Sequence, residues 1–512
     1  MLVKTYGSAV FGIEATTITI EVNLGIGVNF FLVGLPDNAV KESQQRIKAA
    51  FKNNDLKFPG KEITINMAPA DIRKEGSTFD LPIAIGILAA SEQVLSSQLD
   101  EVLMLGELSL DGSLKSVKGI LPVVLQAKKE GFKSVVLPKE NALEAAVVDG
   151  IDIYGMGNLA DVVQFLNHKK EFEPIKVNIE EEFRQKLNEF EVDFKDVKGQ
   201  QNIKRAFEIA ASGGHNVILI GPPGAGKSML AKRLSTILPP MTLEESLETT
   251  KIHSVAGKIS KGLGLVTQRP FRKPHHTISG VALVGGGGYP QPGEISLAHN
   301  GVLFLDELPE YQRVVLEVMR QPLEDRVVTI SRAKFTVDYP AGFMLIAAMN
   351  PCPCGYHNHP ERECVCGTGV VQKYLNKISG PLLDRIDLHV EVTPVSYNEL
   401  AHDTPEEGSE EIRKRVVQAR LIQEERFKNQ AGVHCNAQMT SKNIQAYCRI
   451  DEAGGVILKN AMDKLGLSAR AYDRILKVAR TIADLDFSEV IEPMHLAEAI
   501  QFRSLDRENW VN

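Results

Sequence analysis

The chain has one tryptophan and six cysteines among 512 residues, and it has no long uninterrupted apolar run. Six cysteines are too few for a disulfide framework in a chain of this length. No stretch reaches the roughly 18 uncharged apolar residues that a membrane-spanning helix needs, so no membrane span is predicted. The first residues lack the basic and apolar segments of a secretory signal, which predicts a cytoplasmic protein.

The chain also lacks a strong excess of charge of either sign. It has 58 lysines and arginines against 65 acidic residues, a formal net charge of −7. This balance excludes a uniformly basic protein that coats nucleic acid, although a local basic face remains compatible with it. Hydrophobic residues make up 43% and charged residues 24%, which is ordinary globular usage and excludes wholesale disorder.

The pattern along the chain predicts an α/β multidomain protein. Residues 1–168 alternate β-rich and helical stretches, as an α+β or α/β domain does, and residues 169–192 are a charged linker. Residues 193–395 show the strand, loop and helix order of a parallel sheet with crossover helices. Residues 396–512 have helical periodicity throughout and predict a small helical bundle.

A phosphate-binding loop is the strongest motif in the sequence. Residues 221–228 match G-x-x-x-x-G-K-[ST], between an apolar strand at 216–220 and a helix at 229–238. Backbone N–H groups of such a loop point at phosphate oxygens, and the helix adds its positive dipole end. Lys227 is expected to reach the β- and γ-phosphates and Ser228 to ligate Mg²⁺. The predicted nucleotide contacts are Gly221, Pro222, Pro223, Gly224, Ala225, Gly226, Lys227 and Ser228.

Two acidic residues follow a second apolar strand about 80 residues further on. Residues 301–305 are apolar, and Asp306 and Glu307 come directly after them. In α/β sheets, ligands bind at the carboxyl ends of the strands. Asp306 is therefore expected to hold Mg²⁺, and Glu307 to polarise the attacking water.

Three further polar residues have two readings each. Asn350 ends a strand at 343–349 and is either a water-orienting amide or a turn residue before Pro351. Arg385 follows a short helix and is either a group that reaches a neighbouring subunit's nucleotide or a partner of a nearby aspartate. Arg470 opens a predicted helix, where it either closes over the γ-phosphate or is an ordinary helix-start arginine.

Taken together, these motifs resemble those of the AAA+ ATPases. Four segments resemble the magnesium-chelatase-like AAA+ family known as ComM or YifB. They are RPFRKPHHTIS (269–279), GEISLAHNGVLFLDEL (293–308), AAMNPCPCG (347–355) and ISGPLLDRIDLHVEV (378–392). The resemblance covers essentially the whole chain. It implies an ATP- and Mg²⁺-dependent hexameric ring with a C-terminal helical lid, in which Asn350 is the first sensor, Arg385 the trans-acting finger and Arg470 the second sensor. It also implies a DNA helicase that drives branch migration in natural transformation.

One stretch of the sequence favours DNA independently of the family. Residues 249–293 contain no acidic residue, although 65 acids among 512 residues predict about six there. A tetraglycine at 285–288 is expected to form a moving loop. A second candidate is a strand pair at 327–337, and in the resembled family such insertions line the pore of the ring. The alternative is a solvated basic loop, or one that contacts a neighbouring subunit's nucleotide. The candidate DNA contacts are Lys258, Lys261, Arg269, Arg272, Lys273 and Lys334.

Four cysteines form a C-x-C, nine-residue, C-x-C cluster directly after Asn350. The cluster provides four thiolate ligands, the number and type that a structural zinc needs. Its members are Cys352, Cys354, Cys364 and Cys366. The one-residue spacing differs from the usual C-x-x-C knuckle, and free or oxidation-prone thiols are the alternative.

The N-terminal region resembles the proteolytic domain of Lon-type proteases, which has a ribosomal-S5-like α+β fold. The similar segments are 68–88 and 106–141. These enzymes use a lysine as the base for a serine nucleophile. The nucleophile position aligns with Thr78, or one residue away with Ser77, and the lysine position falls on Leu121. The dyad is broken, which predicts an inactive scaffold.

The sequence therefore predicts a ring-forming ATP hydrolase that acts on DNA. Three other functions are considered. A magnesium-chelatase-like remodelling ATPase without DNA activity is the first alternative. A metal-chelatase subunit that inserts Mg²⁺ into a porphyrin is disfavoured because the resembled chelatase motor subunits lack the Lon-like domain. An ATP-dependent protease is disfavoured by the missing lysine and by the order of the domains.

Overall fold

A computed structural model describes residues 2–178, 183, 190–259, 264–288, 290–332, 335–357, 359, 361–394, 406–430 and 432–503. Two of the predicted DNA contacts, Lys261 and Lys334, lie outside these residues, as does much of the predicted linker. Within the described part of the chain, no helix is both long and apolar enough to cross a lipid bilayer.

A seven-stranded mixed sheet organises the N-terminal region. Its strand order is β3-β4-β2-β1-β5-β8-β9, in which β2 is antiparallel to both of its neighbours, β1 and β4, and the other neighbouring strands are parallel. Side chains of β4 alternate between buried and partly buried, as the period-two pattern predicts. The described strands of this region, of which β6 and β7 lie outside the sheet, are β1 (Leu2–Phe11), β2 (Glu14–Gly25), β3 (Phe30–Val33), β4 (Glu62–Ala68), β5 (Val102–Met104), β6 (Glu107–Leu108), β7 (Leu114–Lys115), β8 (Ser134–Pro138) and β9 (Asp152–Met156).

Helices cover this sheet and close its core. Helix α3 is apolar on every side and wholly buried, whereas α4 shows only one buried face. The helices are α1 (Asn38–Lys41), α2 (Ser43–Asn53), α3 (Asp80–Ala90), α4 (Ile120–Glu130), α5 (Ala142–Ala145) and α6 (Leu159–Leu166), with 3₁₀ turns at Ser77–Phe79, Leu99–Glu101 and Lys139–Asn141.

A five-stranded parallel sheet forms the centre of the second region, as the motif order predicts. Its order is β11-β14-β17-β10-β18, so the strands that precede the phosphate loop, the two acids and Asn350 are neighbours. Each of the three is fully buried in its length, which suits a parallel sheet covered on both faces. The strands are β10 (Val217–Ile220), β11 (Phe271–Arg272), β14 (Val302–Leu305), β17 (Met344–Met349) and β18 (Leu388–Glu391).

Two short antiparallel pairs lie outside this sheet. They are β12 (Gly285–Gly286) with β13 (Gln291–Pro292), and β15 (Val327–Arg332) with β16 (Phe335–Pro340). The second pair matches the predicted strand pair. The first shows that half of the tetraglycine, expected to be a moving loop, belongs to a strand. A Cβ at Gly285 would lie 2.5 Å from the carbonyl oxygen of Gln291, so this pairing needs glycine.

Helices of the second region surround the parallel sheet. They are α7 (Gln201–Gly213), α8 (Lys227–Ile237), α9 (Leu243–Ala256), α10 (Gly280–Val284), α11 (Glu294–Leu297), α12 (Arg313–Glu317), α13 (Arg320–Asp325), α14 (Thr368–Leu375) and α15 (Gly380–Leu383), with 3₁₀ turns at Phe194–Asp196 and Leu308–Glu310.

The C-terminal part of the described chain is helical. Its helices share one hydrophobic core with α7, α8 and β10. A buried hydrogen bond of 2.8 Å between His215 and Thr481 joins the two parts. The helices are α16 (Ser409–Phe427), α17 (Ser441–Tyr447), α18 (Glu452–Leu465), α19 (Ala469–Leu485) and α20 (Pro493–Gln501), with a 3₁₀ turn at Asn436–Gln438.

The N-terminal region contacts the second region through α9. The backbone N–H of Gly119 donates to the carbonyl oxygen of Ser254 at 3.0 Å. The Ser254 hydroxyl donates to a buried carboxylate oxygen of Glu144 at 2.5 Å. A second contact places Gly12, at the β1–β2 turn, against Val337 of β16. The N-terminal region therefore contacts both elements predicted above as DNA-contacting insertions.

Candidate ATP site

The phosphate loop links the buried strand β10 to helix α8. Gly224 and Gly226 have positive φ angles of 79° and 83°, a conformation that glycine adopts at little cost. A Cβ at Gly221 would lie 2.3 Å from the carbonyl oxygen of Val392, so the close approach of β18 also requires glycine there. The loop ends at Lys227, the first residue of α8, which places the lysine at the helix N-terminus.

The Lys227 ammonium spans the loop. It donates to the carbonyl oxygens of Gly221 and Pro222 at 2.7 and 2.9 Å, and to Asn350 Oδ1 at 3.0 Å. Burial lowers the pKa of Lys227, and the nearby carboxylates of Asp306 and Glu307 oppose that shift. Lys227 and Asn350, which are 123 positions apart in sequence, therefore meet because β10 and β17 are parallel neighbours.

Ser228 and Asp306 form the oxygen pair that was predicted to hold magnesium. The Ser228 hydroxyl donates to Asp306 Oδ2 at 2.6 Å. Hydroxyl and carboxylate oxygens are the hard ligands that Mg²⁺ prefers, so the donor set fits this ion. Burial alone would raise the pKa of Asp306, but hydrogen bonds from Ser228 and Lys273 outweigh it and hold this pKa below its usual range.

Glu307 lies directly beyond the end of β14 in a left-handed backbone conformation, with φ of 54°. This conformation is uncommon for a residue other than glycine, and such residues cluster at functional sites. Its carboxylate is more than half exposed, and His276 Nδ1 lies 3.3 Å from Glu307 Oε2. The side chain is thus accessible to a water molecule and has a single neighbouring imidazole.

The two predicted arginines occupy different environments. Arg385 is buried, and its guanidinium contacts Glu324 Oε1 at 2.5 Å. It borders a cavity of about 650 Å³ that Arg320 also lines. Arg470 is exposed in the first turn of α19. Among the described residues, neither arginine makes a hydrogen bond or ion pair with the phosphate loop.

Three of the predicted DNA contacts are bound by carboxylates of their own chain. Arg269 contacts Glu245 at 2.9 Å, and Arg272 makes two bonds to Glu294 at 2.7 and 2.8 Å. Lys273 lies 2.9 Å from Asp306 Oδ2. Lys258 is exposed and makes no side-chain hydrogen bond or ion pair with a residue that the structure describes. DNA contact stays a prediction for this set, and among its four described members Lys258 is the one whose charge is available.

Sequence reasoning did not identify the contacts of His276 and Glu324. Both residues had a signal only in retrospect, because His276 lies in the acid-free stretch and Glu324 precedes the second strand pair. Their partners, Glu307 and Arg385, are 31 and 61 positions further along the chain, and only the fold brings each pair together.

The four clustered cysteines converge as predicted. Cys352 Sγ lies 3.3 Å from Cys354 Sγ and 3.7 Å from Cys364 Sγ, and all four sulfur atoms lie within 4.8 Å of one another. A tetrahedral zinc with Zn–S bonds of about 2.3 Å would separate its sulfur ligands by about 3.8 Å. The cluster therefore fits a zinc ion. Gly355, within the same loop, packs against Pro223 of the phosphate loop.

The position of the missing N-terminal dyad contains no lysine. The Ser77 hydroxyl donates to a carboxylate oxygen of Glu107. Leu121 is fully buried in an apolar core. Among the described residues, no lysine makes a hydrogen bond to Ser77 or Thr78.

Comparisons with known proteins cover nearly the whole chain. Residues 193–400 match the family model described as magnesium chelatase, subunit ChlI; residues 20–141 match the subunit ChlI of Mg-chelatase model, and residues 406–503 the ChlI C-terminal model. Competence protein ComM of Haemophilus influenzae is 46% identical over 99% of this chain and 98% of its own length. YifB of Escherichia coli is 43% identical over 98% of this chain and 96% of its own. Lon protease 2 of Bacillus subtilis is 28% identical over 36% of this chain and 38% of its own.

Proposed function

The chain belongs to the ComM/YifB family of magnesium-chelatase-like AAA+ ATPases, and on that premise we propose that it is an ATP-driven ring motor that acts on DNA. The main support for the proposal is that five functional residues meet at the ends of three neighbouring parallel strands. These residues are Lys227, Ser228, Asp306, Glu307 and Asn350. This set supplies a phosphate-binding lysine, two magnesium ligands, a catalytic carboxylate and a water-orienting amide.

The residues divide the chemistry among them. The loop N–H groups and Lys227 bind the phosphates, and Ser228 and Asp306 hold the magnesium ion, which when bound polarises phosphate oxygens. Glu307 lies next to Asp306, is accessible to solvent and accepts a proton from the attacking water. Asn350, whose amide oxygen already contacts Lys227 at 3.0 Å, orients that water relative to the terminal phosphate.

The position of Arg385 supports a ring of subunits, and the family implies a hexamer. Among the described residues, its side chain makes no hydrogen bond or ion pair with the phosphate loop of its own chain, whereas a cation is needed near the transferred phosphoryl group. A neighbouring subunit's Arg385 supplies that charge once it leaves Glu324. Arg470 approaches from the C-terminal helices, which act as the lid over the nucleotide.

The acid-free stretch supports DNA as the substrate. Lys258 carries an exposed positive charge near the end of α9, and salt-sensitive contacts to phosphate are the expected result. The similarity to a competence protein supports a role in recombination or natural transformation, and the proposed activity there is that of a helicase or branch-migration factor. The alternative is a magnesium-chelatase-like remodelling ATPase whose activity does not depend on DNA. The description of the matching family model, magnesium chelatase subunit ChlI, favours this alternative.

The cysteine cluster is proposed to hold a structural zinc. Four sulfur atoms within 4.8 Å of one another, directly after Asn350, would fix the loop that carries this residue. Metal analysis of the purified protein is expected to give about one zinc per chain, and replacement of Cys354 by serine should reduce it. A zinc-free protein with four reactive thiols would contradict this assignment.

The central test is steady-state ATP hydrolysis with and without forked or four-way DNA. We expect DNA to raise turnover severalfold in the wild type, and Glu307→Gln to abolish turnover while nucleotide still binds. Lys258→Glu should reduce the stimulation by DNA and leave nucleotide affinity intact. Turnover that is robust but indifferent to every DNA would overturn the DNA assignment and favour the remodelling ATPase.

A further inference from the structure

One short segment reaches both acids of the candidate ATP site. We call residues Lys273, Pro274, His275 and His276 the acid-facing segment. Lys273 lies 2.9 Å from Asp306 Oδ2, and His276 Nδ1 lies 3.3 Å from Glu307 Oε2. The segment comes from the middle of the acid-free stretch at 249–293, so a part of the chain attributed to DNA by its charge also lies at the nucleotide site.

The sheet explains this placement. Strand β11 (Phe271–Arg272) is parallel to β14, with Phe271 opposite Val302 and Arg272 opposite Leu303. The chain therefore leaves β11 at the same edge at which β14 delivers Asp306 and Glu307.

Several contacts hold the acid-facing segment in place. The Tyr311 hydroxyl donates to the carbonyl oxygen of Pro274 at 2.7 Å, and the rings of His276 and Tyr311 meet edge to face with centroids 6.4 Å apart. The Lys273 ammonium also lies 5.1 Å from the centre of the Phe304 ring. The segment is thus tied to residues on both sides of the two acids.

The contact of Lys273 has a chemical consequence, because Asp306 Oδ2 is also the oxygen that Ser228 contacts at 2.6 Å. We propose that Lys273 is a positioning residue that sets how strongly nucleotide binding depends on magnesium, by sharing the Asp306 carboxylate with the metal site. This proposal rests on the ATP-binding part of the proposed function and does not depend on DNA.

The charges predict the direction of the effect. In the wild type, the Lys273 ammonium neutralises part of the Asp306 charge, so nucleotide phosphates meet less repulsion when no divalent cation is available. The same ammonium competes with a divalent cation for Asp306 Oδ2. Loss of Lys273 should therefore weaken nucleotide binding without magnesium and maintain or strengthen it with magnesium.

The test measures the equilibrium affinity of a fluorescent ADP for the full chain, once in EDTA and once in excess Mg²⁺, without DNA. The dissociation constant in EDTA is divided by the dissociation constant in Mg²⁺. For Lys273→Met, this ratio should be roughly fivefold higher than for the wild type, which is the upper end of the effect of an ion pair between partly exposed groups. Lys273→Arg keeps the cation and should restore a ratio near that of the wild type.

The matched control is Lys133→Met, which removes a lysine that contacts Glu101 at 2.5 Å in the N-terminal region. It should leave both affinities unchanged. Equal weakening of both affinities by Lys273→Met would overturn the proposal and make Lys273 a simple phosphate contact or a structural residue. A wild type that binds no nucleotide under either condition would instead refute the proposed function.

Discussion

The chain carries two sites with the features of known catalytic centres, and they differ in which charged groups remain. At the ATP site, Lys227, Asp306 and Glu307 are all present, and the fold brings them to one edge of a sheet. In the N-terminal region, Leu121, the residue that the resemblance to Lon proteases aligns with their lysine, is buried among apolar side chains. Overall similarity to an enzyme therefore says little about activity until the individual charged residues are checked.

Buried acids in the two regions also differ in their electrostatics. Burial raises the pKa of Glu144 and of Asp80 in the N-terminal region, and their hydrogen-bond partners only partly offset it. Asp306 has a lowered pKa because Ser228 and Lys273 stabilise its charged form. The ATP site thus keeps its carboxylate ionised and ready for a cation, whereas the N-terminal region uses Glu144 and Asp80 as internal hydrogen-bond acceptors.

Leu121, at the position that the resemblance to Lon proteases aligns with their lysine, lies at a contact between the two regions. The backbone N–H of Leu121 donates to Glu144 Oε1 at 3.1 Å and approaches Ser254 Oγ at 3.4 Å. Ser254 belongs to α9 of the ATPase region. The start of α4 has become part of the support for α9, which is consistent with a scaffold role for the N-terminal region.

The largest expected effect comes from removal of a charge that serves the ATP site. Arg385→Ala should lower ATP turnover by about a thousandfold, as loss of an arginine finger does. When this variant is mixed with Lys227→Ala, activity should partly return, because the Lys227→Ala subunit still offers its Arg385 to a neighbour. Mixtures as inactive as either variant alone would contradict a trans-acting role. In the N-terminal region, Ser77→Ala should leave ATP turnover unchanged.

The difference between the two regions can be tested by placing a lysine at position 121, which the resemblance aligns with the lysine of Lon proteases. Leu121→Lys should not produce peptidase activity, because the new ammonium would be buried among the apolar side chains around Leu121. The nearby Glu144 carboxylate already accepts hydrogen bonds from the Leu121 backbone N–H and the Ser254 hydroxyl. We expect the free energy of unfolding of the N-terminal region to fall by at least about 3 kcal/mol. Denaturant unfolding and a fluorescent peptide assay measure the two outcomes. A folded variant that cleaves peptide would show that the site lacked only its base.

A smaller effect is expected at the contact between the regions. Ser254→Ala removes the hydroxyl that donates to the buried Glu144 carboxylate at 2.5 Å. The loss should cost about 1–3 kcal/mol of stability, since a buried acceptor loses a partner. Hydrogen exchange should report faster opening of both α4 and α9. Faster exchange in α9 alone would mean that the two helices are not coupled through Ser254.

The smallest effect is a difference in pH dependence at the same contact. Because the folded pKa of Glu144 is raised, its contribution to stability is fully present below its unfolded pKa and is lost as the pH rises through the folded pKa. Glu144→Gln cannot titrate, so the advantage of the wild type over this variant should shrink as pH rises from about 4 to about 8. Parallel stability curves for the two proteins would exclude a raised pKa at Glu144.

Much of the architecture could be predicted from periodicity and motifs. The strands before the phosphate loop, before the two acids and before Asn350 lie where the apolar runs predicted. These elements depend on local patterns, which a sequence displays directly. The tetraglycine was misjudged, because a run of glycines looks flexible although Gly285 and Gly286 pair with Gln291 and Pro292.

The sequence by itself determined which chemical groups the ATP site has, because the phosphate loop and the acid pair are each visible in a few consecutive residues. Only the tertiary structure decided what the basic residues contact. Lys273 is bound to Asp306, Arg385 to Glu324 and His276 lies beside Glu307 because parallel strands and packed helices bring distant residues to one place. Charge along a sequence gives the sign of a surface, but the partner of each charge depends on long-range packing.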